Sequence, residues 1–137
     1  MRILAAVLLA LTTACSTSTA APKPANIDIH GTITVTKEGV FQGSEGEPCH
    51  PDSGYSDIRP GTQVVITDPT GKTIAVGALG NGTNRTRSTS YLSDCEFPFR
   101  VTAPAGQQFY GVEIGRRGRL QYAADRLGQP LELTLGD

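Results

Sequence analysis

The chain has 137 residues, a length that suits one domain. Its 12 basic and 13 acidic residues give a net charge of −1 with neutral histidines, which argues against nucleic-acid binding because that function normally requires a basic excess. Tryptophan is absent and only four Phe and four Tyr occur, so the core must consist mainly of Ile, Val and Leu.

Residues 1–14 predict a secretion signal peptide. Arg2 supplies a positive charge, and the apolar run that follows is about nine residues long. A membrane-spanning helix needs roughly 20 apolar residues, so the run fits a cleavable signal. The small residues Thr12, Thr13 and Ala14 then precede Cys15, as the narrow pocket of the processing enzymes requires.

This segment resembles bacterial lipoprotein signals, in which the cysteine is acylated and becomes the new N-terminus. The resemblance implies acyl chains such as palmitate on Cys15 and a position on the extracytoplasmic face of the cell membrane, since two or more chains anchor a protein stably. The family pattern prefers Leu where this chain has Thr12. The alternative is an ordinary signal cut near Ala20 and Ala21, with Cys15 discarded. The odd cysteine count favours acylation, because two cysteines can pair in the domain and the third needs another role.

Residues 15–26 are small, polar and Pro-containing, and they predict a flexible tether. The domain therefore spans residues 27–137. Its first segment, 27–35, alternates apolar and polar residues with the period of a half-buried strand. Pro69 and Gly71 suit a turn between two apolar runs, which makes this the clearest hairpin.

Strands are predicted throughout the domain, separated by Gly- and Pro-rich turns. Pro98 faces away from the apolar side of its segment, which predicts an edge strand or the start of a strand. The set predicts an all-β fold, a single β-sandwich of immunoglobulin or transthyretin type with about seven strands. After the first strand, the others lie at 62–67, 73–79, 96–102, 108–114, 120–122 and 130–135, with one helical turn at 123–127.

Cys49 and Cys95 are predicted to form one disulfide, because both follow the signal and lie in a compartment that can be oxidising. The bond would hold the long Gly-rich loop 42–61 against the strand that contains Phe97. A metal site formed by Cys49, His50, Asp52 and Cys95 is the alternative, but there is no C-x-x-C pair and no second nearby His, so the ligand set falls short of a structural zinc site. No metal or cofactor is expected.

The domain also resembles a group of small exported domains of actinobacteria, many of them lipoproteins or membrane-tethered proteins, with related forms in phages of these bacteria. The resemblance covers roughly residues 27–135 and implies the fold and the disulfide, but no activity and no catalytic residue. It rests on turn and core residues at 49, 54–64, 68–72, 95–99, 109–113 and 117–118.

Candidate binding residues lie in turns and loops. Tyr55 in the long loop 42–61 and Tyr91 directly after the loop 80–90 are the aromatic residues there, and exposed Tyr favours contacts. Both can instead pack on the core. A cluster of arginines at a hairpin tip is either a solvated turn or a site for an anionic headgroup or phosphate; its members are Arg116, Arg117 and Arg119.

Catalysis is not expected. Only His30 and His50 offer imidazole bases, and His30 falls on the polar face of a strand pattern. The sequence contains neither a G-x-S-x-G nor an H-E-x-x-H motif. We therefore expect a lipid-anchored binding or structural module of the cell envelope, whose partners are the membrane and an envelope or phage protein. A phage-encoded lipoprotein that excludes a second phage is one alternative, and an envelope hydrolase is another.

Overall fold

The structure is a computed structural model that describes residues 16, 18–22, 25–36, 43–52, 54–86 and 93–136. Within these ranges the chain forms eight strands and one short 3-10 helix. In chain order they are β1 (Asn26–Thr36), β2 (Gln63–Thr67), β3 (Thr73–Ala78), β4 (Thr83–Thr86), β5 (Ser93–Pro104), β6 (Phe109–Ile114), β7 (Arg119–Ala123), the 3-10 helix (Ala124–Gly128) and β8 (Leu131–Gly136).

The strands form two four-stranded sheets that pack face to face. Sheet A has the order β4-β5-β1-β8, and sheet B has the order β3-β2-β6-β7. Neighbouring strands are antiparallel except β1 and β8, which are parallel. The predicted all-β sandwich is therefore confirmed.

The core lies between the sheets and follows the alternation that the sequence shows. β5 alternates buried and exposed residues along its whole length, as a strand with one covered face must. Tyr110 and Phe97 are the largest fully buried side chains. The Tyr110 hydroxyl is not left without partners, because it donates to the Pro104 carbonyl at 3.0 Å and accepts from the Gln107 N–H at 3.3 Å.

Two features of β4 and β5 differ from the sequence predictions. The polar segment read as the loop 80–90 contains β4, which pairs with the first residues of β5. The prediction of an edge strand at Pro98 is wrong, because β5 lies between β4 and β1. Proline is tolerated there because β4 begins at Thr83, which pairs with Glu96, so no β4 residue lies opposite Pro98 and needs its N–H.

The two sides of the sandwich differ. On the closed side, defined by β3 and β5, the sheets are joined by backbone: Leu79 bridges Phe99, and the Gly80 N–H donates to the Pro98 carbonyl at 2.8 Å. The sheets approach closely here because Gly77 has no Cβ, and an added one would lie 2.5 Å from Val101 Cγ2. On the open side, defined by β7 and β8, both strands are sheet edges, and the 3-10 helix connects them.

Candidate functional site

The long loop is attached to sheet A by a disulfide, as predicted. Cys49 and Cys95 are bonded, with their Cα atoms 5.8 Å apart, and both are buried. The loop also covers the edge of β4: the Gly46 N–H donates to the Asn84 carbonyl at 2.9 Å, and the Asn84 N–H donates to the Glu47 carbonyl at 2.7 Å. The loop and β4 therefore stabilise each other, which explains how a short polar strand forms.

Arg117 joins the long loop to the β6–β7 turn. Its Nε donates to Asp57 Oδ2 at 2.9 Å, a second nitrogen donates to Asp57 Oδ1, and the same nitrogen donates to the Gly54 carbonyl at 2.6 Å. Its guanidinium also lies over the Tyr55 ring, 5.1 Å from the centroid. The structure thus brings together two of the predicted binding residues, but in an internal contact.

The charge state of this contact follows from its geometry. Hydrogen bonding to Arg117 lowers the pKa of the Asp57 carboxyl, and the same bond raises the pKa of Arg117. Both groups are therefore charged at neutral pH. Arg117 therefore links the β6–β7 turn to the long loop through its ion pair with Asp57, and this contact is called the staple below.

The other two predicted arginines lie in different surroundings. The Arg119 stem covers Gly111 on the outer face of sheet B: a Cβ on that glycine would lie 2.6 Å from Arg119 Cδ. Its guanidinium is 3.8 Å from Glu113. Arg116 is exposed, and within the described ranges it has no hydrogen-bond or ion-pair partner. Of the three, Arg116 is thus the one whose charge is free to meet a ligand.

An apolar groove of about 400 Å³ opens between the sheets on the open side. Its floor consists of core-facing residues of β1 and β6, and its walls are apolar residues of β7 and β8. Leu120 on the β7 wall is 53% exposed, although it lies on the core-facing side of its strand. The apolar lining includes Ile33, Val112, Ile114, Leu120, Leu133 and Leu135.

The groove has two distinct ends. At one end the 3-10 helix joins β7 to β8, and Leu127 is buried there against the core. At the other end lie Arg117 and Gly118 of the β6–β7 turn, next to Arg116. Tyr122 lines the groove, and desolvation raises the pKa of its hydroxyl. The site is therefore a mainly apolar groove, with the arginines of the β6–β7 turn at one end and the acid Glu132 on the β8 wall.

The remaining predicted residues fall elsewhere. Cys15 and Tyr91 lie outside the described residues. His50 is exposed in the loop, while His30 is half-buried on β1, and its Nδ1 has no partner in the part of the chain that the structure describes. In that same part, no group of three or more His, Cys, Asp and Glu side chains is arranged to hold a metal ion.

Comparison of the chain with protein-family models, curated proteins and solved structures finds no match. Within the ranges given above, the structure contains no helix long and apolar enough to span a bilayer. The groove and the signal-like N-terminal sequence are the features of the chain that bear on its function.

Proposed function

We propose that this chain is a lipid-anchored, non-enzymatic module on the extracytoplasmic face of the cell membrane, and that it binds a partner protein in the groove between β7 and β8. The anchoring part of the proposal is supported by the signal-like residues 1–14 and by Cys15 directly after them. The binding part is carried by one observation: an apolar groove lies open between β7 and β8, two edge strands that pair with no further strand in the part of the chain that the structure describes.

A polypeptide segment fits this groove better than other occupants do. Apolar side chains match its lining, and an extended backbone matches the unpaired N–H and C=O groups of a strand edge. The basic end adds a charge preference, since Arg116 favours an acidic residue at that end of the segment. The groove thereby offers the same partner an apolar lining, backbone groups for hydrogen bonding and a positive charge.

Site-specific photo-crosslinking in intact cells tests the binding part. A benzophenone amino acid is placed at position 120 of the full-length chain and, as a matched control, at position 76. Leu120 and Val76 are 53% and 54% exposed, but Val76 lies on the closed side, away from the groove. We expect a protein adduct from position 120 and none from position 76.

Each crosslinking outcome decides between functions. A protein adduct of host origin supports an envelope module, and one encoded by an infecting phage favours the exclusion factor. A lipid adduct at position 120 would replace the protein partner by a lipid ligand. No adduct at position 120, or equal adducts at both positions, contradicts binding in the groove.

Intact mass tests the anchor separately. The mass of the membrane-extracted protein should exceed that of residues 15–137 by a diacylglyceryl group and acyl chains. Cys15→Ala should abolish this increase and release the protein from the membrane fraction. An unmodified mass in the wild type contradicts the anchor without affecting the groove.

A further inference from the structure

We infer that the partner segment binds as a fifth strand of sheet B, paired with the free edge of β7, and that its alternate apolar side chains fill the groove. This inference rests on the proposed function, because it specifies how a protein segment occupies that site. It also specifies the chemistry of the segment: extended, apolar at every second residue, and acidic near the β6–β7 turn.

The four sheet edges are not equivalent. The chain itself covers the β4 edge, where Pro48 bridges Thr83 and the Cys49 N–H donates to the Gly82 carbonyl at 3.2 Å. The β3 side is occupied by its contact with β5 through Leu79 and Phe99. β3 is an edge of sheet B as well, but it lies on the closed side; β7 and β8 are the two edge strands that flank the groove.

The backbone direction of β7 can be derived from its junction with the 3-10 helix. The Ala124 N–H donates to the Gln108 carbonyl at 3.0 Å, so it points toward β6. Successive N–H groups of a strand alternate in direction. The N–H groups of Leu120 and Tyr122 therefore also face β6, and those of Arg119 and Gln121 face away from it.

An added strand along β7 would meet two kinds of group at once. The backbone groups of Arg119 and Gln121 point outward and are available for pairing. The side chains of Leu120 and Tyr122 point into the groove, where Leu133 stands on the opposite wall. Because side chains of a strand alternate between faces, every second residue of the segment would enter the groove. β7 is five residues long, which sets the length of the paired segment.

Charge favours the edge of β7 over that of β8. The β6–β7 turn at the end of the groove carries Arg116, and β7 carries Arg119 on the outer face of sheet B. Among the described residues, the acids in contact with the arginines of this turn and strand are Asp57, bound to Arg117, and Glu113, near Arg119. The β8 wall carries the exposed acid Glu132. An acidic segment is therefore attracted to β7 and repelled from β8.

The test uses the full-length chain in nanodiscs and a random dodecapeptide library displayed on phage. A synthetic copy of the most enriched peptide is then titrated against three variants. Gln121→Pro removes one outward N–H and no bond to β6, so β7 should persist, since edge strands accept proline at such positions. Gln121→Thr is the matched control, because it keeps the N–H. Leu120→Asp places a charge in the groove.

We expect enriched peptides with alternating apolar residues and at least one acid. Gln121→Pro should weaken binding about tenfold, as expected for the loss of a main-chain hydrogen bond and the added bulk of the ring. Gln121→Thr should bind like the wild type, and Leu120→Asp should bind at least about tenfold more weakly. Thermal unfolding of each variant confirms that the sandwich is retained.

Two results would overturn the inference, and they are distinguishable from failure of the proposed function. If Leu120→Asp abolishes binding and Gln121→Pro does not, the groove binds side chains without strand pairing, and only the inference fails. If no peptide is enriched, or if neither variant weakens binding, the groove is not a protein site, and the proposed function fails with it.

Discussion

The closed and open sides of the sandwich cover the same core to different extents. On the closed side, backbone contacts join the sheets at Leu79 and Phe99, and Gly77 lets them approach. On the open side, the 3-10 helix connects β7 to β8, and Leu120 remains more than half exposed on a core-facing position. An apolar, core-facing position at the edge of a sheet is therefore not necessarily buried.

The closed side also carries the covalent link. The long loop packs on β4 and is bonded to β5 through Cys49 and Cys95, and Arg117 fastens its far end to the β6–β7 turn. The loop therefore contributes mainly to the stability of the fold, and less to a binding surface. We expect substitutions on the closed side to affect stability and those on the open side to affect binding.

The largest effect is expected from the disulfide. Cys49→Ser and Cys95→Ser should each lower the free energy of unfolding by about 4 kcal/mol, because the bond closes a loop with a sequence separation of 46 residues. The double variant should be no less stable than either single one, since all three lack the same bond. Urea unfolding measures this. Additive losses would show that the two cysteines act independently.

A pair of substitutions compares the two sides directly. Gly77→Val should lower the free energy of unfolding by about 1–3 kcal/mol, because the new side chain overlaps Val101 between the sheets. Leu120→Ser should change it by less than about 0.5 kcal/mol, as for most exposed positions. Thermal unfolding of both variants is the measurement. Equal losses would mean that the open side is as tightly packed as the closed side.

A modest effect is expected at the ion pair between Arg117 and Asp57. Arg117→Gln should lower the free energy of unfolding by about 1 kcal/mol or less at pH 7, because the ion pair with Asp57 is partly exposed to solvent. The control is Arg116→Gln, which removes an exposed charge from the same turn and should have no effect.

The pH dependence of the staple has a definite sign. Asp57 has a lower pKa in the folded chain than in the unfolded one, so its stabilising contribution is complete above about pH 5 and is lost as the pH falls through the folded value. The stability difference between wild type and Arg117→Gln should therefore narrow below about pH 4. A difference that widens in acid would contradict the assignment.

Local patterns were enough to predict most of the fold. The alternation in β1 and the Pro–Gly turn between β2 and β3 are properties of short segments, and the structure confirms them. The single short helical element after β7 also follows from its local sequence. The disulfide could be predicted because Cys49 and Cys95 both follow the signal-like segment, and the structure confirms it.

Features that depend on distant residues could not be predicted in this way. β4 has a polar sequence and forms because the loop around Cys49 pairs with it. Pro98 indicates an edge strand locally, but a central position is possible because the pairing of β4 with β5 does not extend beyond Glu96 to Pro98. Arg117 looks like a solvated turn residue until Asp57, which is 60 residues away, is placed beside it.

The groove was missed for the same kind of reason. Leu120, Leu133 and Leu135 have the alternation of ordinary half-buried strands, and nothing local shows that both strands are edges facing each other. The structure shows why the two edges meet: β7 and β8 are edges of different sheets, and the short 3-10 helix joins them directly, which keeps both edges on the same side of the sandwich.

The 3-10 helix from Ala124 to Gly128 gives the site a property of its own. It is the single connection between the two walls of the groove, and buried Leu127 fixes it to the core. Each wall is held in its own sheet, β7 by β6 and β8 by β1, and this one short stretch of chain spans the distance between them at the end of the groove. Lengthening or shortening this stretch by a residue would alter which segments fit, while the sheets and the disulfide stay as they are, so the selectivity of this domain can evolve separately from its stability.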